Sequence, residues 1–413
     1  MNSFYRNILA VIAVTVFYSN GHEYLNQAHD IGIPWHWVLA FIILALPLLV
    51  RQVITSDILQ LPVVAWCAGY AWITIIWFIM GAQSEMSWQE VRWRMLAIVE
   101  MLCFLALFMD AKAIRFAQWA IVVVVHVGTV INVYELFVPM SFSNVSGRSA
   151  GLYVNPNTSA EALVLGMILG ITALPVWFRT VFILVAGTGV FATYSRAGLI
   201  GWLIAVGGLM LGRFIGVPQL VRTGLIALLL VGVALLPKTD QILTALEGAG
   251  SLNPDTRERL TWLMDPLGVE DASSWGRKAI AQQAWERVGE HPFLGEGTGE
   301  VHTGLDIPPH NQFLAHMIDH GVVGAMLIPL LLLALLWRAQ GDSRPVVFIF
   351  SCVVLWFSFF THQLLNNAYN LLLLALVAAL VAMRDRWTGH AQQGMVARLE
   401  RGHLPKTLAH FSP

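Results

Sequence analysis

Trp35-His36-Trp37-Val38-Leu39-Ala40-Phe41-Ile42-Ile43-Leu44-Ala45-Leu46-Pro47-Leu48-Leu49-Val50-Arg51 carries no charged side chain before its last residue. Such a run approaches the ~17–25 apolar residues an α-helix needs to cross a bilayer. Tryptophan at one end and arginine at the other are side chains that favour the membrane–water interfaces. Similar runs recur from end to end of the 413 residues. Hydrophobic residues make up 57% of the chain and charged ones only 12%, where soluble domains carry about 25% charged residues. Mean hydropathy is +0.67. A water-soluble protein of this length would lack the polar material to cover itself, so that class is excluded. The 16 tryptophans, Trp88, Trp93 and Trp177 among them, fit an interfacial belt. A net charge of −1 carries no argument for a nucleic-acid partner, and none is expected. Cys67, Cys103 and Cys352 fall in apolar runs, which suits neither a disulfide framework nor a zinc knuckle. The first run, Ile8 to Phe17, is followed by Tyr18-Ser19-Asn20-Gly21, without a small-x-small cleavage pattern. It reads as an uncleaved first span.

The expected fold is an all-α integral membrane protein of about 12 transmembrane helices with a long, partly helical periplasmic loop. The spans lie near residues 5–20, 35–50, 61–80, 95–109, 117–138, 160–174, 179–194, 197–211, 221–236, 312–337, 346–360 and 367–383. Placing the N-terminus in the cytoplasm puts Arg6, Arg51, Lys112, Arg115, Arg179, Arg213, Arg222, Arg338 and Arg344 inside, together with a basic tail. The short outer loops then receive only Arg92, Arg94, Arg148 and Arg196. That distribution satisfies the positive-inside rule with both termini inside. The chain divides into a membrane region at 1–237, a periplasmic loop at 238–309, a second membrane region at 310–383 and a cytoplasmic tail at 384–413. Loops as long as 238–309 usually carry function.

Pro308-Pro309-His310-Asn311-Gln312-Phe313-Leu314 is the sharpest local signal. Two prolines stop an incoming helix and fix the chain direction. A histidine opening the next helix feels the positive end of the dipole, stays neutral, and can accept a proton near pH 7. The competing reading is a histidine that only caps a helix at headgroup level. Arg196, in Tyr194-Ser195-Arg196-Ala197-Gly198, interrupts an apolar stretch. An arginine there needs an anionic or carbonyl partner, unless it snorkels to lipid phosphates. The adjoining Ala197 and Gly198 would let a bulky headgroup approach. Arg277 lies in the outer loop that leads to His310, and Arg257 and Arg259 compete with it for the same role. Arg148-Ser149-Ala150-Gly151-Leu152-Tyr153-Val154-Asn155-Pro156-Asn157 reads as a turn into a helix with Asn157 as its cap. Its amides could also contact a sugar.

Gly295-x-Gly297-x-Gly299 reads as a tight turn rather than a phosphate loop, because no Lys-Ser/Thr follows. His316 and His320 have i, i+4 spacing, but no third metal ligand stands out, so they read as histidines facing a polar interior. No outer loop holds Asp-x-Asp. Neither a metal nor another cofactor is expected.

Taken together, Gly151–Asn157, Ser195-Arg196-Ala197-Gly198, Gly276-Arg277, Pro292-Phe293-Leu294-Gly295-Glu296-Gly297-Thr298-Gly299 and Pro309-His310-Asn311-Gln312-Phe313-Leu314 resemble the O-antigen ligase and polymerase superfamily of bacterial inner membranes. These pieces come in the family's order, and the last is the most specific. The resemblance implies a polytopic, metal-independent glycosyltransferase with its active site facing the periplasm. Its donor would be a glycan on undecaprenyl diphosphate and its acceptor a sugar hydroxyl of the lipid A core. Carried over by position, the resemblance makes His310 the catalytic base and Arg196 and Arg277 the diphosphate ligands. Asn157, Ser195, Asn311 and Arg148 are further candidate substrate contacts; Arg257 and Arg259 match no family position. An O-antigen polymerase and a protein O-oligosaccharyltransferase share this pattern. A lipid-linked oligosaccharide transporter is the reading from another class. It is disfavoured by the lack of internal repeats and by charged landmarks gathered on one face.

Overall fold

The computed structural model describes residues 3–235, 241, 244, 248, 250, 251, 253–264, 272–303, 307–341, 343–361 and 363–383. The expected tail at 384–413 lies outside the described residues, as does part of the loop at 238–309. The described residues form helices joined by turns and loops, with no strand among them.

Helix α1 (Ser3–Ala13) runs into a π-helical turn at Val14–Tyr18. Then come α2 (Gly21–His29), α3 (Pro34–Ile54), α4 (Pro62–Met80), α5 (Glu85–Phe108) and α6 (Ala111–Phe137). After a short 3₁₀ turn at Gly151–Tyr153 follow α7 (Pro156–Gly170), α8 (Val176–Ala192), α9 (Arg196–Leu211) and α10 (Val217–Leu235). The 238–309 segment contains α11 (Pro254–Met264) and α12 (Ala272–Glu290). The described residues close with α13 (Gln312–Ala325), α14 (Leu327–Leu336), α15 (Ser343–Ser358) and α16 (Ala368–Met383). Proline enters α3, α4 and α7 at their first turn, where its missing N–H costs nothing. Side chains of Ser84, Asp110, Asn155, Ser195 and Asn311 cap α5, α6, α7, α9 and α13.

Each apolar stretch expected to span falls in a helix, and the chain is a multi-pass membrane protein. The count of about twelve spans is a different matter. Among the described residues, by length and apolarity, only α3, α4 and α6 qualify singly, and α13 with α14 qualify as one span bent by 55°. Six further apolar helices are 10–17 residues long. α5 carries Glu90, Arg94 and Glu100 buried within it. α7 is buried along nearly its whole length and packs against α6, α8, α9 and α15, so it is the central helix of the bundle.

A separate kink inside α13 has a local cause. Gly321 breaks α13 with φ +61° and ψ −145°, a conformation open to glycine and costly for other residues. The break releases the carbonyls of Ile318 and Asp319, and the Pro292–Gly299 loop threads in to bond them. Glu296 N–H donates to Ile318 O at 2.8 Å and Gly297 N–H to Asp319 O at 3.0 Å, while Val322 N–H donates to Pro292 O at 2.9 Å. The glycine repeat is therefore a turn, as its sequence suggests: Gly295, Gly297 and Gly299 all have left-handed φ. A Cβ on Gly321 would lie 2.3 Å from the Phe293 carbonyl, and one on Gly295 2.5 Å from the backbone nitrogens of His320 and Gly321. Gly321→Ala should therefore cost about 2 kcal/mol or more. It should lower the thermal unfolding midpoint in detergent, while Gly69→Ala, with open space around it, should not. Equal midpoints for the two variants would refute this account of the kink.

Candidate active site

The start of α7 meets the start of α9. Pro156 takes the first helical position, which makes Asn155 the cap: its Oδ1 accepts from Asn157 N–H at 2.9 Å. Asn157, expected as the cap, instead sits one turn-position further in. Its own Oδ1 is thereby free to accept from Ser195 Oγ at 2.9 Å and from Arg148 Nη2 at 3.1 Å. Arg148 Nε donates to Thr193 O at 3.1 Å. Ser195 caps α9 by accepting from Gly198 N–H at 3.2 Å, so Arg196 is the first helical residue. The Arg196 guanidinium lies 5.1 Å over the Trp262 ring of α11, a cation–π distance. Gly198 does not make room for a headgroup as its sequence suggested. A Cβ there would sit 2.4 Å from Ala160 Cβ, so the glycine seats α9 against α7.

Glu135, near the end of α6, orders the loop that delivers Arg148. Its Oε1 accepts from Ser143 N–H and Ser143 Oγ, each at 2.8 Å, and its Oε2 from Ala150 N–H and Gly151 N–H, each at 2.8 Å. A carboxylate near the end of an apolar run was the only sign of this in the sequence.

His310 precedes α13 rather than opening it. Asn311 is the cap, with Oδ1 accepting from Phe313 N–H at 2.9 Å and Leu314 N–H at 3.1 Å. The His310 pKa is lowered from its ordinary value of 6.5, first by desolvation and then by the nearby charge of Arg277. The neutral imidazole expected from the sequence thus arises from partial burial and a neighbouring cation, more than from the helix dipole. Arg277 rides on α12, which packs Ala284 and Val288 against Leu314, Ala315 and Ile318 of α13. Arg287 of the same helix grips Glu296 in the glycine loop: Nε donates to Oε1 at 3.0 Å and Nη2 to Oε2, while Nη2 also donates to Glu300 O at 3.0 Å. The far end of α15 links the two halves. Trp356 Nε1 donates to Ala197 O at 2.9 Å, and the Phe359 ring lies 4.9 Å from Phe313. The Arg196 and His310 segments therefore flank the same end of α15.

A second polar cluster went unread in the sequence. Arg94, expected in an outer loop, is buried inside α5. Its Nε donates to Glu90 Oε1 at 2.7 Å, its Nη2 donates to Asp319 Oδ2, and its Nη1 lies 3.0 Å from His320 Nε2. Asp319 Oδ1 accepts from Val301 N–H at 2.9 Å. His302 meets Glu90 Oε2 at 3.3 Å, and that hydrogen bond raises its pKa. His316 pairs with Gln312 at 2.9 Å. His316 and His320 thus face a polar interior, and their rings are 6.0 Å apart. The i, i+4 spacing of Glu90 and Arg94 was the available signal. Among the described residues, no group of three or more His, Cys, Asp or Glu side chains is placed to hold a metal ion.

A cavity of about 830 Å³ opens beside these elements. Asn155 and Thr158, on either side of Asn157, line it, as do Glu90 and His302. Gln363 and Asn366 border both this cavity and a smaller chamber of about 50 Å³ that reaches Arg94 and Gln312, just beyond His310.

Residues 181–329 match the family described as O-antigen ligase. Over that stretch the chain is similar to the O-antigen ligase family. The matched stretch contains Ser195, Arg196, Arg277, His310 and Asn311, along with the glycine loop and the break at Gly321. Arg148 and Asn157 precede the match, yet hydrogen bonds join them to Ser195 within it. Arg259, one of the two unassigned loop arginines, is buried, and Arg257 is exposed. No curated protein matches the chain.

Proposed function

We propose that the protein is an O-antigen ligase of the inner membrane, moving a glycan from undecaprenyl diphosphate to a sugar hydroxyl of the lipid A core on the periplasmic side. The observation that carries this reading is the family match across 181–329, whose Arg196 and His310 segments flank one end of α15. The 238–309 segment, with its two helices, would lie outside and close over the site.

The reaction needs few parts. An acceptor hydroxyl attacks the anomeric carbon while the bond from that carbon to the diphosphate oxygen breaks, and its electron pair leaves with the diphosphate. The hydroxyl proton passes to the His310 imidazole, which its surroundings keep neutral. Charge that accumulates on the departing diphosphate is met by Arg196 and Arg277, whose planar forks can each bond two oxygens. A single in-line displacement inverts the anomeric centre. Asn157, Ser195, Arg148 and Asn311 hold the backbone that presents these groups, through the bonds described above.

Arg196→Lys and Arg277→Lys test the clamp. Each keeps a positive charge but loses the bidentate fork. Transfer should fall about tenfold or more in each, measured as acceptor mass shift with purified protein, donor and acceptor. Two lysine variants that transfer normally would remove the clamp from the mechanism.

A further inference from the structure

Glu100 is a carboxylate inside the bundle, 3% exposed, and it lines the 830 Å³ cavity. Its Oε1 has no hydrogen-bond partner. Leaving a buried carboxylate oxygen unmet is expensive, so the position selects for a ligand that supplies a donor or a positive charge. The other ionisable groups facing this cavity are Glu23, Glu90, His22, His302 and Tyr153, and no lysine or arginine is among its described lining residues. Glu90 is already engaged by Arg94 and His302. The cavity thus gathers carboxyl groups without a described lysine or arginine, which does not suit a diphosphate, and it stands apart in character from the Arg196 and Arg277 positions.

The rest of the wall suits a sugar. Trp35 and Trp93 stand at its edge, 40% and 41% exposed, and offer flat apolar faces to the C–H side of a pyranose ring. Amides of Asn20, Gln89 and Asn367 face the same space and can both donate to and accept from hydroxyls. The volume lies within the range of small-ligand sites, about 300–1,000 Å³. We propose that this cavity is a subsite for a sugar residue bearing a free, protonated amine, with Glu100 as its counter-ion. The inference rests on the ligase reading, and it adds the substrate class of the glycan.

Binding separates this inference from the reaction, because it needs no transfer. The probes are the disaccharide of β-1,4-linked glucosamine and its fully N-acetylated counterpart, measured by calorimetry on the purified full chain in phosphatidylglycerol nanodiscs. Wild type should bind the amine form at least about tenfold more tightly, the effect of one charge-assisted contact to a buried carboxyl group. Glu100→Gln, nearly identical in shape, should abolish that preference. Equal affinity of wild type for both sugars overturns the proposal whether or not the variant folds, and so does a preference that survives in Glu100→Gln. Phosphoethanolamine that binds as tightly as the diamine disaccharide would assign the cavity to a lipid headgroup and overturn the sugar assignment. Failure of wild type to transfer any glycan would sink the ligase reading and leave these affinities standing.

Discussion

His310→Ala should lower glycan transfer by about 10²–10⁴-fold, the usual worth of a general base, with insertion and folding unchanged. The residue lies just outside α13, held between Pro309 and the Asn311 cap, so its loss removes no helix cap. Donor affinity should change far less than turnover, because the arginines rather than the histidine meet the diphosphate. Measuring both on purified variant separates the roles. A collapse of donor binding would recast His310 as a phosphate ligand, and near-normal turnover would remove it as the base. The pH profile supplies an independent check. Desolvation and Arg277 hold the His310 pKa below its ordinary 6.5. The active, unprotonated form is present above that lowered pKa and is lost as pH falls through it. Transfer should stay level as pH drops through 6.5 and decline only at more acidic values. Arg277→Gln, by removing the cation, should move the decline towards higher pH.

Arg94→Leu should be the most damaging substitution in the membrane region. The guanidinium is buried and bonds Glu90, Asp319 and His320 together. Removing it strands two carboxylates in the interior, and breaking a buried pair in this way costs about 3–5 kcal/mol. That is a large part of the ~5–15 kcal/mol by which folded proteins are stable. Asp319 also holds Val301 and lies at the break in α13, so the loss should spread to the glycine loop. The expected readout is a sharp fall in folded yield and in thermal midpoint. Arg94→Leu combined with Glu90→Gln and Asp319→Asn should recover part of it, since no charge is then left unpaired. A single variant as stable as wild type would show that the cluster is solvated rather than buried.

These two residues mark how far the sequence could be read. The helices α3, α4 and α6 are visible because their signal is local: enough consecutive apolar residues to cross a bilayer. The break before Arg196 and the turn at Gly295–Gly299 are visible for the same reason, as charge or glycine interrupts an apolar pattern. Arg94 was misplaced because a charge at the edge of an apolar run resembles a loop. What buries it is Asp319, 225 positions away in sequence. The helix starts at α7 and α13 were each misjudged by one or two positions. In α7, Pro156 claims the first turn and leaves the capping to Asn155. In α13, Asn311 caps and His310 falls outside. The threading of the Pro292–Gly299 loop into Gly321 could not be seen at all. It depends on two glycine backbones meeting, and neither carries a side chain that announces the contact.

The most direct test of the account is transfer by the purified chain in liposomes supplied with undecaprenyl-diphosphate-linked glycan and lipid A-core, with EDTA present throughout. The account predicts that glycan appears on the lipid A-core, that undecaprenyl diphosphate is released in equal amount, and that EDTA changes neither. Glycan joined to a second donor chain instead of to the core, or turnover that EDTA abolishes and an added divalent ion restores, would contradict it.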